Sequence, residues 1–234
     1  MSTEYMDVIW IVLLAADLVL AGSSRLFHCI RIVALQGILL GVLMLLSHGL
    51  SAETFAWQTV LTALIQGGIK GGLLPFLLIR AVRRADIRRE LEPFIGYSLS
   101  LTVILLMAAA ALVFCRGDWL AGRTHSFIAV PAALTTMMTG LLLIVARRKA
   151  ITQAMGFLVF ENGITAFGIG MNLESGFAVE MGILLDVLVL VFIMGITLFH
   201  INREFEHLDA DKLNELGDLV ENQPAPETNR ETAI

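Results

Sequence analysis

"GFLVFENGITAFGIG", residues 156–170, places a carboxylate, Glu161, in the middle of a run that otherwise belongs in hydrocarbon. A charge at the centre of a bilayer costs from about 3 kcal/mol upward, so the kind of protein that tolerates it has to be read from the rest of the chain. That chain is 57% hydrophobic and 16% charged over 234 residues, with a mean hydropathy of +0.80. Soluble domains carry about 25% charged residues. The composition is that of an integral membrane protein, and the stretch reads as one of its spans.

Segments long enough to cross about 30 Å of hydrocarbon fall at residues 5–22, 28–47, 56–80, 95–115, 125–146, 152–171 and 177–200. In lipid each backbone polar group is satisfied within its own segment, and the alternation that marks barrel strands is absent. The fold class is therefore all-α, a polytopic integral membrane protein of about seven transmembrane helices. The start, "MSTEYMD", lacks the basic region and cleavage site of a signal peptide, so the first apolar segment is expected to remain as a span. Cys29 and Cys115 have no CxxC partner, and no disulfide framework, zinc site or iron–sulfur cluster is readable.

The loop charges orient the bundle. Arg25, Arg31, Arg80, Arg83, Arg84, Arg88, Arg89, Arg147, Arg148, Lys149 and Arg203 fall on one side, against Arg116 and Arg123 on the other. The positive-inside rule puts the N-terminus outside and the C-terminus in the cytoplasm. The tail from residue 204 is acidic, and with Arg203 counted in it leaves 13 basic and 12 acidic residues elsewhere, so the net charge of −5 belongs to the tail. Such a tail argues against nucleic acid and anionic lipid as partners. Within it "LDADKLNELGDLVEN" reads as a short solvated helix ahead of a polar end, "QPAPETNRETAI", with a docking helix for a cytoplasmic partner as the alternative.

Six ionisable residues lie within spans: Asp17, Lys70, Glu161, Glu180, Asp186 and His200. Asp17 and His200 are close to cytoplasmic span ends and are expected at a partly wet interface. Glu180 is three residues into the last span, within reach of headgroup water. Glu161 and Asp186 are about 13 Å deep at 1.5 Å per residue. Asp186, Thr197 and His200 share an arc of about 60°, whereas Glu180 is rotated from Asp186 by roughly 120°. Asp186 is thus the expected partner of Glu161, with a lysine from a neighbouring subunit as the other possibility.

In "TVLTALIQGGIKGGLLPFLL" the residues Thr59, Thr62, Gln66 and Lys70 line one helical face. Gly67 with Gly71, and Gly68 with Gly72, form overlapping small-xxx-small pairs that permit close helix approach, and Pro75 loosens the local hydrogen-bond ladder. Lys70 reads either as a packing lysine paired with an acid such as Asp17 or as part of a proton path. The threonines of "TTMMTG", Thr135, Thr136 and Thr139, are expected to bond back to their own helix. No Ser/His/Asp set, phosphate loop or metal-ligand group can be assembled, so no catalytic, cofactor-binding or metal residue is assigned.

The last three spans, "LLLIVARRKAITQAMGFLVFENGI" followed by "VEMGILLDVLVLVFIMGITLFHI", resemble the three-helix K-type subunit of respiratory complex I and the C-type subunit of multi-subunit sodium/proton antiporters. The shared features are a basic hairpin, a mid-membrane glutamate, a short outer loop and a second buried carboxylate. The whole chain resembles component E of the hydrogenase-4 and formate hydrogenlyase complexes, where this module follows extra helices. The resemblance implies an N-terminal four-helix region over 1–122, a K-type module over 123–203 and the acidic cytoplasmic tail over 204–234. It further implies a non-catalytic membrane-arm subunit of a group 4 [NiFe] hydrogenase in the cytoplasmic membrane of a bacterium or archaeon. Its partners would be antiporter-like membrane subunits and a soluble arm holding the nickel–iron centre and iron–sulfur clusters. Glu161 matches the first family carboxylate; Asp186 and Glu180 both remain open as the second. The alternatives are a purely structural membrane subunit and a stand-alone small-solute transporter, the latter opposed by the lack of internal repeats and paired broken helices.

Overall fold

The computed structural model describes residues 2–47, 57–84, 96–117, 126–147 and 150–172, with residues 124 and 195 singly. Within them are α1 (Ser2–Gly22), α2 (Leu26–Ser47), α3 (Trp57–Gly68), a π-helical turn (Ile69–Leu73), α4 (Leu74–Arg84), α5 (Tyr97–Phe114), α6 (Ala129–Ala146) and α7 (Ala150–Gly170). The protein is all-helical across these residues. Four of the helices, at Glu4–Gly22, Leu26–Ser47, Tyr97–Phe114 and Ala129–Ala146, are long and apolar enough to cross a membrane. The residues read as the seventh span, apart from Gly195, and the acidic tail lie outside the described residues.

The third apolar segment is not one regular helix. Its α-helical ladder widens over Ile69–Leu73, where the Leu74 N–H bonds the Ile69 carbonyl five residues back. Pro75 explains the widening, since it has no N–H for the carbonyl four residues earlier and its ring would strike that carbonyl. A π-turn spreads the mismatch over one turn. Lys70 lies within it.

Helices consecutive in the chain alternate in direction. Ser126 bonds Asp7 at the start of α1, Thr136 meets Asp17, and Arg147 reaches Ala21, so α1 and α6 run parallel. On α7, Gly156, Gly163 and Gly170 face Ile144, Met137 and Ala129 of α6 in antiparallel order. Cys115 at the end of α5 packs with Val130 at the start of α6, and Tyr97 at the start of α5 lies under Arg147. On the other side Gly37 and Gly41 of α2 abut the backbones of Lys70 with Gly71 and of Ala63 with Gly67. Gly67 and Gly71 thus form the close approach, while a Cβ on Gly68 or Gly72 would meet nothing. Only one of the two overlapping glycine pairs is used, because adjacent helical positions are turned by about 100°.

The core has two apolar ends. One packs Leu20, Ile30, Val33, Leu78, Leu143 and Met155, and the other Trp10, Leu13, Leu40, Leu43, Ala133 and Ala166. On every helix that spans both, a buried polar residue falls between them: Asp17 on α1, Gln36 on α2, Thr136 and Thr139 on α6, Glu161 and Asn162 on α7. Apolar side chains such as Val8, Leu64, Leu106, Val113 and Val145 are exposed, as lipid-facing positions require.

Candidate functional site: a polar layer inside the bundle

Lys70 and Glu161 meet at the centre of this layer. The ammonium Nζ lies 2.8 Å from Glu161 Oε1, with side chains 2% and 0% exposed. The same ammonium donates to Thr165 Oγ1 at 2.7 Å, and the Thr165 hydroxyl donates to the Glu161 backbone carbonyl at 3.1 Å. Thr165 follows Glu161 by four residues, so both stand on one face of α7. The π-turn carries the lysine to that face, and Gln66, one turn earlier, is buried beside it.

This corrects one expectation: Lys70 takes Glu161 as its acid, not Asp17, so a lysine of the same chain stands beside Glu161. Helical periodicity gave the polar face of each helix but not the rotation of one helix against another, which the glycine contacts of α2 with Lys70 and of α6 with α7 decide.

Asp17 forms a second cluster. It is fully buried inside the bundle, not partly wet. Gln36 Nε2 donates to Oδ1 at 2.9 Å, and the Thr136 hydroxyl lies 2.6 Å from Oδ2 and 3.0 Å from the Ala132 carbonyl oxygen. Distance from the end of its own helix misplaced Asp17, because cover by α2 and α6 sets burial. Thr135 and Thr139 do bond back to their own helix, at Pro131 and Thr135. Thr136 does so while also engaging Asp17.

The two clusters are close in depth. Gly140 against Phe160 and Gly163 against Met137 fix the register of α6 on α7. Glu161 is then level with Thr139, three residues or about 4.5 Å along the axis from Thr136. Gln36 adjoins Gly37, whose Cα abuts the Lys70 backbone.

Asp186, Glu180 and His200 lie outside the described residues, as do the side chains of Thr59 and Thr62. Gln36, Asn162, Thr165 and Arg147 are buried polar residues that sequence reasoning did not single out. Thr165 was signalled by its four-residue spacing from Glu161, and Gln36 by being the lone polar side chain in "IVALQGILL". Arg147, counted as a loop charge, turns inward at the end of α6. Its guanidinium sits 4.9 Å from the Tyr97 ring centroid and 3.5 Å from the Ala21 carbonyl oxygen. Among the described residues no group of three or more His, Cys, Asp or Glu could hold a metal ion.

Chemically, the Lys70–Glu161 contact is an acid–base ion pair out of water. Moving one proton across it converts an ion pair into two neutral groups, which exchanges Coulomb attraction for relief of desolvation.

The chain is 32% identical over 209 residues to the uncharacterized protein Rv0085 of Mycobacterium tuberculosis, an alignment covering 88% of this chain and 93% of that one. It belongs to the same family. No family profile matches the chain and no solved structure matches it significantly.

Proposed function

We propose that this member of the Rv0085 family is a non-catalytic membrane-arm subunit of a complex-I-like assembly of the group 4 hydrogenase type. In this reading its buried charges carry protons during redox chemistry in a soluble arm. The single observation that carries the reading is the Lys70–Glu161 pair, buried between two apolar ends of the bundle. The glutamate belongs to the "FLVFENGI" helix, whose resemblance to the K-type subunit suggests the redox partners. The nickel–iron centre and iron–sulfur clusters belong to those partners, and the antiporter-like subunits to the same membrane arm.

Seven spans, an outer N-terminus and a cytoplasmic tail complete the proposal. Its support is the excess of basic residues on one side and the alternating directions of α1, α2, α3 with α4, α5, α6 and α7. Cysteines placed at positions 2 and 230 should label from opposite sides of the bacterial cytoplasmic membrane. Labelling of both from one side would refute the odd span count.

A structural role is the second reading, favoured by one observation: both charges of the pair are supplied by this chain. The double variant Lys70→Met, Glu161→Gln separates the two. It removes both charges together, so the complex should assemble and its soluble arm should still reduce an artificial acceptor. On the proton-path reading, proton movement into vesicles falls at least tenfold. Wild-type proton movement in that variant assigns the pair to structure. Identification of copurifying subunits tests the assembly: a nickel–iron protein among them is expected, and its absence from an intact complex overturns the hydrogenase reading.

A further inference from the structure

Asp17 is buried in the same layer as an ion pair, yet among the described residues it has no counter-charge of its own. Among the described residues its two oxygens engage the Gln36 amide and the Thr136 hydroxyl, both neutral. The charged groups on the surrounding helices are committed elsewhere. Lys70 and Glu161 hold each other, and Arg147 lies at the bundle end against Ala21, four residues or about 6 Å along the axis from Asp17. The titratable Cys29 of α2 packs within the apolar end cluster. An ionised carboxylate without a counter-ion is costly in such a place, whereas a neutral carboxylic acid needs one acceptor for its proton.

That acceptor is present. The 2.6 Å contact between Asp17 Oδ2 and Thr136 Oγ1 lies within the O–H···O range whichever oxygen donates, and the Thr136 hydroxyl has a second acceptor in the Ala132 carbonyl. The sequence Asp17 O–H to Thr136 O–H to the Ala132 carbonyl, closed by Gln36 N–H to Oδ1, uses each proton once. When the acid proton leaves, the Thr136 hydroxyl rotates from Ala132 to Oδ2, and the carboxylate then accepts from both Thr136 and Gln36. Only a hydroxyl rotor has to move.

We propose that Asp17 is a proton-binding site that is loaded at rest, with Thr136 as the rotor that serves both its protonated and its ionised form. The site stands on this geometry; its use in proton movement rests on the function proposed above and names the group that holds the proton while Glu161 is ionised. A released proton passes to water or toward Glu161, whose level on α7 is about 4.5 Å in depth from that of Thr136, and one from the opposite side reloads Asp17.

Infrared spectra of the full chain in lipid nanodiscs, near neutral pH in potassium buffer, test the site. The wild type minus Asp17→Asn difference should contain the carbonyl stretch of a protonated carboxyl group, shifted in D2O. Thr136→Val should move that band, and Lys70→Met with Glu161→Gln should retain it. Absence of the band from the Asp17→Asn difference overturns the proposal. Its disappearance on exchanging potassium for sodium overturns it too, in favour of a sodium site on the same oxygens. Vesicle assays give an independent reading. If Asp17→Asn removes the band while the Lys70→Met, Glu161→Gln variant still moves protons, the Asp17 site survives and the proton path through the Lys70–Glu161 pair fails; if the band is absent and that double variant is inactive, the reverse holds.

Discussion

Glu161→Gln alone should destabilise the folded chain by about 3–5 kcal/mol, the usual cost of stripping one partner from a buried ion pair. Lys70→Met alone should do the same, and the double variant should recover most of the loss. The asymmetry follows from where the charge is left. Removing the carboxylate leaves an ammonium, 3% exposed, with a hydroxyl as its remaining named partner. Removing the lysine leaves a fully buried carboxylate on α7. Removing both replaces two desolvated ions by a thioether and an amide of similar size, which costs far less. Equilibrium unfolding of the four proteins in bicelles measures the coupling as a double-mutant cycle. A coupling energy near zero would show that the pair is not formed in the folded chain. The pairing also changes which second-site variant restores a Lys70 defect: Glu161→Gln should, and Asp17→Asn should not.

The sequence made the helices legible because the bilayer imposes one backbone solution and a fixed length on each crossing. The apolar segments at 5–22, 28–47, 125–146 and 152–171 lie within a few residues of α1, α2, α6 and α7. The break at Ile69–Leu73 was signalled by Pro75, although its form as a π-turn was not. Pairing across helices was the illegible part. Glu161, Lys70 and Asp17 were each identified as intramembrane charges from one segment at a time, but which acid meets which base depends on the rotation of α3 and α7. That rotation is written in contacts such as Gly37 against Lys70, which no single-helix periodicity contains. Arg147 shows the same limit at a helix end, where a residue counted as a loop charge proved to be buried against Tyr97.

The α6–α7 seam offers the second large effect, and it returns to residues 156–170. Gly156, Gly163 and Gly170 recur every seven residues, a spacing that keeps one face of α7 against one face of a supercoiled partner. A Cβ added to Gly163 would fall on the Met137 backbone nitrogen and side chain, and one on Gly140 would fall on the backbone of Phe160. Backbone cannot turn aside as a flexible side chain can, so α6 and α7 would have to separate. Gly163→Ala and Gly140→Ala should each cost about 1–3 kcal/mol as overpacking, even though alanine is the better helix former by roughly 0.5–1 kcal/mol. Gly68→Ala is the control, because a Cβ there meets nothing, and it should be neutral or stabilising. Unfolding midpoints of the three variants in bicelles make the comparison, and a Gly163→Ala protein as stable as Gly68→Ala would contradict the close seam. The consequence reaches the charges as well. Glu161 and Thr165 lie two residues either side of Gly163, about 200° round the helix and so on the face of α7 away from α6, and pushing α7 off α6 therefore presses both on the Lys70 ammonium, whose contacts at 2.8 Å and 2.7 Å leave no slack. Combined with Glu161→Gln, Gly163→Ala should therefore add less destabilisation than it causes alone, since the ion pair it disturbs is already gone.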